Sequence, residues 1–230
     1  MKFDAIPETA QPAAVAQAYG STLRRGPRYE PIAVPCAAAT DAGVRFAGSA
    51  VSTGACDLTN QGTGEPIGQR IVVTGRVVDE DGRPVPRSLV EVWQCNAAGR
   101  YTHANDQHRA PLDPNFFGEG RMLTDDDGRY RFITVRPGAY PWNNHRNAWR
   151  PAHIHFSLFG NVYAQRLVTQ MYFPDDPLIP FDAIINTIPD EAARRSLVSR
   201  FSMEETISDE ALGFVYDIVL RGRDATPFGL

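Results

Sequence analysis

Three features of the sequence predict a mainly β fold of the sandwich type. Short segments of β-branched or alternating apolar residues recur between residues 70 and 221. Turn signals such as Asp81-Gly82 and Asp127-Gly128 separate these segments. Helix is expected mainly over residues 190–201, and many short strands with little helix are typical of two packed sheets. At 230 residues the chain is long enough for one domain with a sizeable core.

The first 64 residues are predicted to form an irregular N-terminal arm. Prolines interrupt it at positions 7, 12, 27, 31 and 35. A short helix fits residues 13–19, and the small, polar, turn-rich residues 43–64 are predicted to be loop. We therefore divide the chain into an arm, residues 1–64, and a folded domain, residues 65–230. Such an arm is expected to wrap its own domain or a neighbouring subunit.

Six strands are predicted in the folded domain, at residues 71–78, 88–95, 130–135, 153–159, 165–173 and 213–221. The helix predicted at residues 190–201 has Asp190 near its start and places Leu197, Val198 and Phe201 on one stripe.

Composition and charge exclude several classes of protein. The net charge is −4 and no run of basic residues occurs, which argues against nucleic acid or an anionic membrane as the main partner. No apolar run approaches the roughly 18 residues of a membrane span, and the N-terminus lacks the apolar core of a signal peptide. The three cysteines, Cys36, Cys56 and Cys95, form no Cys-x-x-Cys pair, so reduced thiols in the cytoplasm are expected.

Two histidines are predicted to share one face of a strand. His153 and His155 alternate with the apolar Ile154 and Phe156. In a strand, residues two apart point to the same side, about 6.5 Å apart along the backbone. Such a pair is more often polar surface, or two core residues with satisfied hydrogen bonds, than a site. A loop rich in Pro, Asn and Trp precedes this pair, however, and such loops commonly carry function.

Two tyrosines complete a candidate metal site of Tyr101, Tyr140, His153 and His155. A free phenol has a pKa near 10 and is a poor ligand for a weakly acidic divalent ion. A trivalent ion ionises the phenol through its own charge. Two phenolates with two neutral imidazoles therefore suit ferric iron better than zinc, whose sites favour Cys and His. Each tyrosine could instead be an ordinary core or interface residue.

Longer motifs carry a family resemblance. The run Gly99-Arg100-Tyr101, the run from Pro137 to Trp142 and the run from Trp149 to Phe156 resemble those of the intradiol ring-cleaving dioxygenases. The likeness covers residues 65–224 and residues 19–27 of the arm. Within the family it is nearest to the iron-carrying β chains of the branch that acts on 3,4-dihydroxybenzoate. It implies a prealbumin-like β-sandwich whose long loops carry a metal site.

The resemblance assigns roles to individual residues. Tyr101 and His153 match the equatorial ligands of a non-haem Fe(III), and Tyr140 and His155 match the axial pair. Arg150 matches the guanidinium that stabilises negative charge on the substrate. The other positions near the substrate are Gln170, a polar pocket residue, and Tyr19, Trp142 and Ile184, which line the cavity.

The implied activity is cleavage of 3,4-dihydroxybenzoate by O2 between its two hydroxyl-bearing carbons. The product would be 3-carboxy-cis,cis-muconate, an intermediate of aromatic catabolism through the β-ketoadipate pathway. The resemblance also implies a partner, a homologous α chain that lacks the ligands and whose arm completes the pocket of a hetero-oligomer. The sequence departs from relatives at Thr102 and Asn143, where Arg is common, so the charge at the mouth of the site is expected to differ.

Two alternatives remain open at this stage. One is a homomeric dioxygenase for catechol or hydroxyquinol. The other is a non-catalytic β-sandwich binding module, because residues 73–85 and 127–132 also resemble prealbumin-like adhesin and carrier modules. Colour separates the second from an enzyme, since phenolate-to-ferric charge transfer makes a protein red-brown.

Overall fold

A computed structural model describes residues 6–25, 29, 51, 55–160 and 166–229. The strands are β1 Ala55–Asp57, β2 Arg70–Val78, β3 Leu89–Trp93, β4 Glu119–Leu123, β5 Arg129–Val135, β6 Tyr140–Pro141, β7 Trp149–Arg150, β8 His153–Phe159, β9 Arg166–Tyr172, β10 Arg200–Ile207, β11 Ala211–Val215 and β12 Ile218–Val219. The α-helices are α1 Thr22–Arg25 and α2 Glu191–Ser196, and single 3-10 turns lie at Glu8–Ala10, Ile179–Phe181 and Ile185–Thr187.

Two sheets make up the sandwich. One has the order β1-β5-β2-β11-β10, with β12 also pairing with β2. The other is a four-stranded antiparallel sheet in the order β4-β3-β8-β9. β6 and β7 form a separate antiparallel pair. The mainly β sandwich predicted from the sequence is confirmed.

The core lies between the two sheets and follows the alternation of the strands. Ile71 and Val73 of β2 pack in one cluster with Ile154 and Phe156 of β8, and all four are fully buried. The ring of Phe156 lies 6.0 Å from that of Phe132 on the opposite sheet. Burial of each large apolar side chain contributes about 1.5–3 kcal/mol, so this alternation fixes which face of β8 points inward.

The opposite face of β8 consequently points away from the core. His153 and His155 lie on this outer face, opposite Tyr172 and Gln170 of β9 in the antiparallel register. Trp93 of β3 lies opposite His155 on the other side. The loop after β3, the β6–β7 pair and the segment around Asp182 supply the other groups of the site.

The predicted helix at residues 190–201 is too long. Helix α2 ends at Ser196, and Phe201 lies in β10, an unpredicted strand. Asp190 caps the helix as expected, accepting hydrogen bonds from the backbone N–H of Ala192 and Ala193. Pairing of β10 with β11, which brings Phe201 against Phe214 at 5.8 Å, outweighs the helical pattern of the sequence.

Four other details differ from the sequence prediction. Residues 13–19 form bends and turns, and α1 follows at Thr22–Arg25. The predicted loop at residues 43–64, described from residue 55 onward, contains β1, and β4 was not predicted. The strand predicted at 213–221 is divided into β11 and β12 by an interruption at residues 216–217. At this point the carbonyl oxygen of Tyr216 lies so close to Gly75 that a Cβ added there would be 1.8 Å from it. The boundary at residue 64 stays a prediction.

Two of the predicted free thiols lie in the described residues. Cys56 and Cys95 are both free, and Cys36 lies outside the described residues. None of the helices in the described residues is long and apolar enough to cross a bilayer.

Candidate metal centre

The two imidazoles of β8 meet at their Nε2 atoms, which lie 3.2 Å apart. His153 is 1% exposed. Its Nδ1 lies 2.8 Å from the carbonyl oxygen of Pro151. That oxygen can only accept, so Nδ1 carries the proton and donates it, and Nε2 presents a lone pair. The structure thus fixes His153 in the tautomer that a metal ligand through Nε2 requires.

The ring of His155 is held by Trp93. The two rings are parallel within 1°, with centroids 4.8 Å apart. Sequence analysis did not assign Trp93 to the site. The alternation of its strand predicts its face, but the cross-strand register that sets it beside His155 has no local signal.

Tyr101 lies in the loop that follows β3. Several hydrogen bonds to neighbouring side chains hold the backbone of this loop. The backbone N–H of Tyr101 donates to Asp106 at 2.8 Å. The side-chain oxygen of buried Asn96 accepts from the N–H groups of Ala98 and Arg100 at 3.0 and 2.9 Å. These bonds fix the backbone of the loop from Ala98 to Tyr101.

Tyr140 lies on β6, directly opposite Arg150 of β7. Its hydroxyl oxygen lies 3.3 Å from Nε2 of His153, and its ring meets that of Tyr101 edge to face at 5.4 Å. The loop of Tyr101 and the strand of Tyr140 touch at Gly99, whose φ is +78° and where an added Cβ would lie 2.2 Å from the carbonyl oxygen of Ala139. A glycine is therefore needed for the two phenols to approach each other.

Burial controls the charge of all four groups. Burial, followed by the charge of Arg150, lowers the pKa of His153 well below its usual range and that of His155 to about 3. Burial raises the pKa of Tyr101 and of Tyr140, although Arg150 opposes this for Tyr140. In the protein alone the imidazoles are neutral and the phenols protonated, so only a strongly charged ion would convert the phenols to phenolates.

These four side chains fit a trivalent metal ion. The hydroxyl of Tyr101 is buried and makes no well-formed hydrogen bond among the described residues, with the phenol of Tyr140 as its polar neighbour. A buried hydroxyl without such a bond is costly. The lone pair of His153 Nε2 has three close neighbours, at 3.2–3.3 Å. The described residues contain no group of three or more His, Cys, Asp and Glu placed to hold a metal.

Arg150 borders the four groups and is almost fully buried. It is 3% exposed, and its Nη1 lies 3.3 Å from His153 Nε2. Its Nη2 donates to Gln170 at 2.5 Å, so the predicted pair Arg150 and Gln170 is in contact. Burial alone would lower the pKa of Arg150, but Tyr172 and Asp182 raise it above its usual range. The guanidinium is therefore a permanent positive charge beside the ligands.

Sequence analysis missed two members of this group, Tyr172 and Asp182. Asp182 is fully buried and pairs with Arg150 through both carboxylate oxygens, at 3.2 and 3.0 Å. The hydroxyl of Tyr172 accepts from Arg150 Nη2 and donates to Asp182, both at 2.9 Å. Asp182 lies 32 residues from Arg150 in a short irregular segment, where no periodicity could single it out.

The three predicted lining residues lie together. Tyr19, Ile184 and Trp142 belong to one small apolar cluster, and the rings of Tyr19 and Trp142 are 5.3 Å apart. The arm is fastened here, because Asn144 accepts from the N–H of Gly20 at 2.8 Å and donates to the carbonyl of Ala18 at 2.7 Å. Trp142 also lies 5.6 Å below the guanidinium of Arg150, which connects this cluster to the ligands.

Comparisons with known proteins identify the family. Residues 45–222 match the dioxygenase family known as Dioxygenase_C. The protocatechuate 3,4-dioxygenase β chain of Burkholderia cepacia is 66% identical over 173 residues, which cover 74% of this chain and 73% of that protein. The chain belongs to the intradiol dioxygenase family. It is thus an oxidoreductase, and the non-catalytic binding module considered above is not favoured.

Other intradiol dioxygenases are more distant. Hydroxyquinol 1,2-dioxygenase of Rhizobium sp. (strain MTP-10005) is 33% identical over 159 residues, which cover 64% of this chain and half of that protein. The crystal structure of catechol 1,2-dioxygenase from Pseudomonas arvilla C-1 superimposes with a TM-score of 0.57, covering 80% of this chain and 62% of that one. At 22% identity, this superposition shows a shared fold alone.

Proposed function

We propose that this intradiol dioxygenase holds one non-haem ferric ion through Tyr101, Tyr140, His153 and His155. The observation that carries this proposal is the convergence of two neutral imidazoles and two phenols, with the buried hydroxyl of Tyr101 making no well-formed hydrogen bond among the described residues. When bound, ferric iron supplies the charge that ionises the phenols and a chelating diol and makes the diol's ring reactive toward O2.

We propose 3,4-dihydroxybenzoate as the substrate, cleaved by O2 to 3-carboxy-cis,cis-muconate. The 66% identity to the Burkholderia cepacia protein, whose name gives protocatechuate as its substrate, supports this choice. Identity to a hydroxyquinol 1,2-dioxygenase is only 33%. The lower value favours 3,4-dihydroxybenzoate over the substrates of the homomeric alternative.

The residues around the ligands then have separate tasks. Arg150 places a fixed positive charge where negative charge develops on the substrate ring, and such preorganised charge is commonly the largest single contribution to catalysis. Gln170 and Tyr172 occupy the donors of Arg150 Nη2 and hold the guanidinium still. Tyr140 Oη accepts a proton from the diol as the substrate binds, as the family resemblance implies.

The apolar cluster of Tyr19, Trp142 and Ile184 is proposed to line the substrate cavity. These side chains are packed on one another and against the arm. Trp142 contacts the face of Arg150, so a substrate bound beside the guanidinium would meet this wall. An apolar wall at this point excludes water and strengthens the electrostatic effect of Arg150.

The experiment that tests the iron proposal is metal analysis with a visible spectrum. The purified protein is expected to contain iron, to be red-brown, and to change its visible band when 3,4-dihydroxybenzoate is added without O2. Catechol and hydroxyquinol serve as comparison substrates in steady-state assays. A colourless, iron-free protein that cannot be loaded with ferric iron would contradict the proposal.

We also propose a homologous α chain as partner in a hetero-oligomer. The support is the name of the Burkholderia cepacia relative, a β chain. Expression with and without a candidate α chain tests this, and the chain alone is expected to be poorly stable or weakly active. Full activity of the isolated chain would refute the partnership.

A further inference from the structure

The hydrogen bonds of Arg150 are distributed unevenly around its guanidinium. The group has five N–H donors in a rigid fork. Nε donates to Asp182 at 3.2 Å. Nη2 has three acceptors within reach, on Gln170, Tyr172 and Asp182, at 2.5–3.0 Å. One edge of the guanidinium, formed by Nε and Nη2, is therefore fully used inside the protein.

The other edge points at the ligand groups. Nη1 contacts Nε2 of His153 at 3.3 Å, a long distance for a hydrogen bond. The plane of the guanidinium is limited on one side by Trp142, whose ring lies 5.6 Å away. Arg150 also interacts with the phenol of Tyr140, and the two N–H groups of Nη1 are the donors of Arg150 closest to a substrate held beside His153 and Tyr140.

Asp182 is built to fix this orientation. Its carboxylate is fully buried and accepts four hydrogen bonds, two on each oxygen. One oxygen accepts from Arg150 Nε and from the backbone N–H of Ile184, both at 3.2 Å. The other accepts from Arg150 Nη2 at 3.0 Å and from the hydroxyl of Tyr172 at 2.9 Å. A two-point contact between carboxylate and guanidinium sets the plane of the fork, which a single contact would not do.

We propose that Asp182 is a positioning residue that turns the Nη1 edge of Arg150 toward the substrate. The inference rests on the proposed function, because it assumes that a diol binds at the four candidate ligands. The same carboxylate accepts a hydrogen bond from the backbone N–H of Ile184, a member of the apolar cluster proposed to line the cavity. One side chain therefore positions both the donor edge of Arg150 and this part of the cavity wall.

The test compares Asp182→Asn with a matched control, Asp113→Asn. The amide introduced by Asp182→Asn has the size of the carboxylate but only one acceptor oxygen. Its NH2 group would face an N–H of Arg150, so the two-point contact between Asp182 and the guanidinium would be lost. Asp113 is also buried, at 6% exposed, and accepts from the backbone N–H of Ile67 and of Asn115 at 2.7 and 2.9 Å, and no arginine of the described residues pairs with its carboxylate. Both variants lose the charge of a buried aspartate, but only one of the two aspartates pairs with Arg150.

Each variant is expressed together with a candidate α chain and loaded with iron, and its iron content, visible spectrum, anaerobic affinity for 3,4-dihydroxybenzoate and turnover are measured. Asp182→Asn is expected to keep its iron and visible band and to change the affinity by less than about threefold. Its kcat should fall by about 100-fold, the size seen when a preorganised charge donor is lost. Asp113→Asn should keep the wild-type kcat. An Asp182→Asn protein with wild-type kcat, or an equal loss in both variants, would overturn the proposal.

A milder variant covers the case in which Asp182→Asn does not fold. Tyr172→Phe removes one hydrogen bond from Asp182 and one from Arg150 but leaves the ion pair in place. It is expected to lower kcat by roughly fivefold at unchanged iron content, since one hydrogen bond is typically worth about that factor. An unchanged kcat in this variant would count against the positioning role. A wild-type protein that cannot bind iron would instead refute the proposed function, so the two failures are distinguishable.

Discussion

The two imidazoles and the two phenols of the candidate site are held by different kinds of structure. His153 and His155 lie on β8, an inner strand that pairs with β9 along its whole length and with β3 from His155 onward. Tyr101 lies in the loop after β3, and Tyr140 on a strand of two residues. The imidazoles are thus placed by the sheet, and the phenols by individual contacts between loops.

The difference has a physical consequence for the order of events in folding and metal binding. A paired central strand belongs to the most stable part of a fold, whereas loops open locally at lower free energy. We therefore expect the imidazole half to be formed before a metal arrives. The phenol half depends on contacts such as those at Gly99 and Asn96, which bring the loop of Tyr101 to that of Tyr140.

The largest effect on iron binding and on the visible spectrum is expected from removing one imidazole and one phenol, each in a separate variant. His155→Ala should lose most of its iron, by more than the 10–100-fold in affinity that loss of an outer-sphere partner costs. Tyr101→Phe should keep much of its iron but lose most of the visible band, because the band arises from phenolate-to-ferric charge transfer. Metal analysis and visible spectra of the purified variants check both expectations.

Two exposed residues of the same types provide controls. His145 is exposed in the β6–β7 connection, and Tyr29 is 87% exposed, so His145→Ala and Tyr29→Phe should change neither property. Retention of iron by His155→Ala together with retention of the band by Tyr101→Phe would contradict the ligand assignment.

A smaller effect is expected where the two phenol loops touch. Gly99→Ala places a Cβ 2.2 Å from the carbonyl oxygen of Ala139 and forces the loops of Tyr101 and Tyr140 apart. Iron content is expected to fall by about half or more, and the melting temperature should fall as well. Both are measured on protein prepared with excess ferric iron.

Gly82→Ala is the matched control for this prediction. Gly82 has nearly the same backbone angle, φ +75°, but an added Cβ there meets nothing within 4 Å. Both variants have an unfavourable left-handed residue, at a cost of about 1–2 kcal/mol, and only Gly99→Ala disturbs the phenols. Equal iron contents in the two variants would show that the contact at Gly99 does not hold the phenol half together.

The same contrast explains what the sequence could predict. Alternation of polar and apolar residues predicts both faces of β8, and with them the shared face of His153 and His155. Other patterns, such as the β-branched run at residues 71–78, predict most of β2, β5 and β9. Strand β10 was missed because its residues are largely exposed and lack alternation, and its pairing with β11 is a tertiary effect.

The site was predictable to the extent that its residues lie in motifs. Tyr101 and Tyr140 have no periodic signal of their own. Phenol chemistry made them candidate ligands, and the family resemblance of their surrounding runs gave them their specific roles. Asp182 and Trp93 lie in no such motif, and they meet Arg150 and His155 only once the chain is folded. Partners chosen by tertiary contact leave no local trace in a single sequence.

The smallest effect is expected at the connection between the arm and the Tyr140 side of the site. Asn144→Ala removes the two hydrogen bonds to Ala18 and Gly20, each worth about 0.5–1.5 kcal/mol. The arm carries Tyr19, a predicted wall of the cavity, and so KM for 3,4-dihydroxybenzoate should rise roughly fivefold, the factor equivalent to about 1 kcal/mol, while kcat and the visible band stay unchanged. Limited proteolysis should cut the arm of this variant sooner, and the exposed Asn105→Ala serves as control. If the visible band of Asn144→Ala changed as well, the contact between the arm and Asn144 would help to hold Tyr140 in place. The position of the phenols would then depend on the arm as well as on the contact at Gly99.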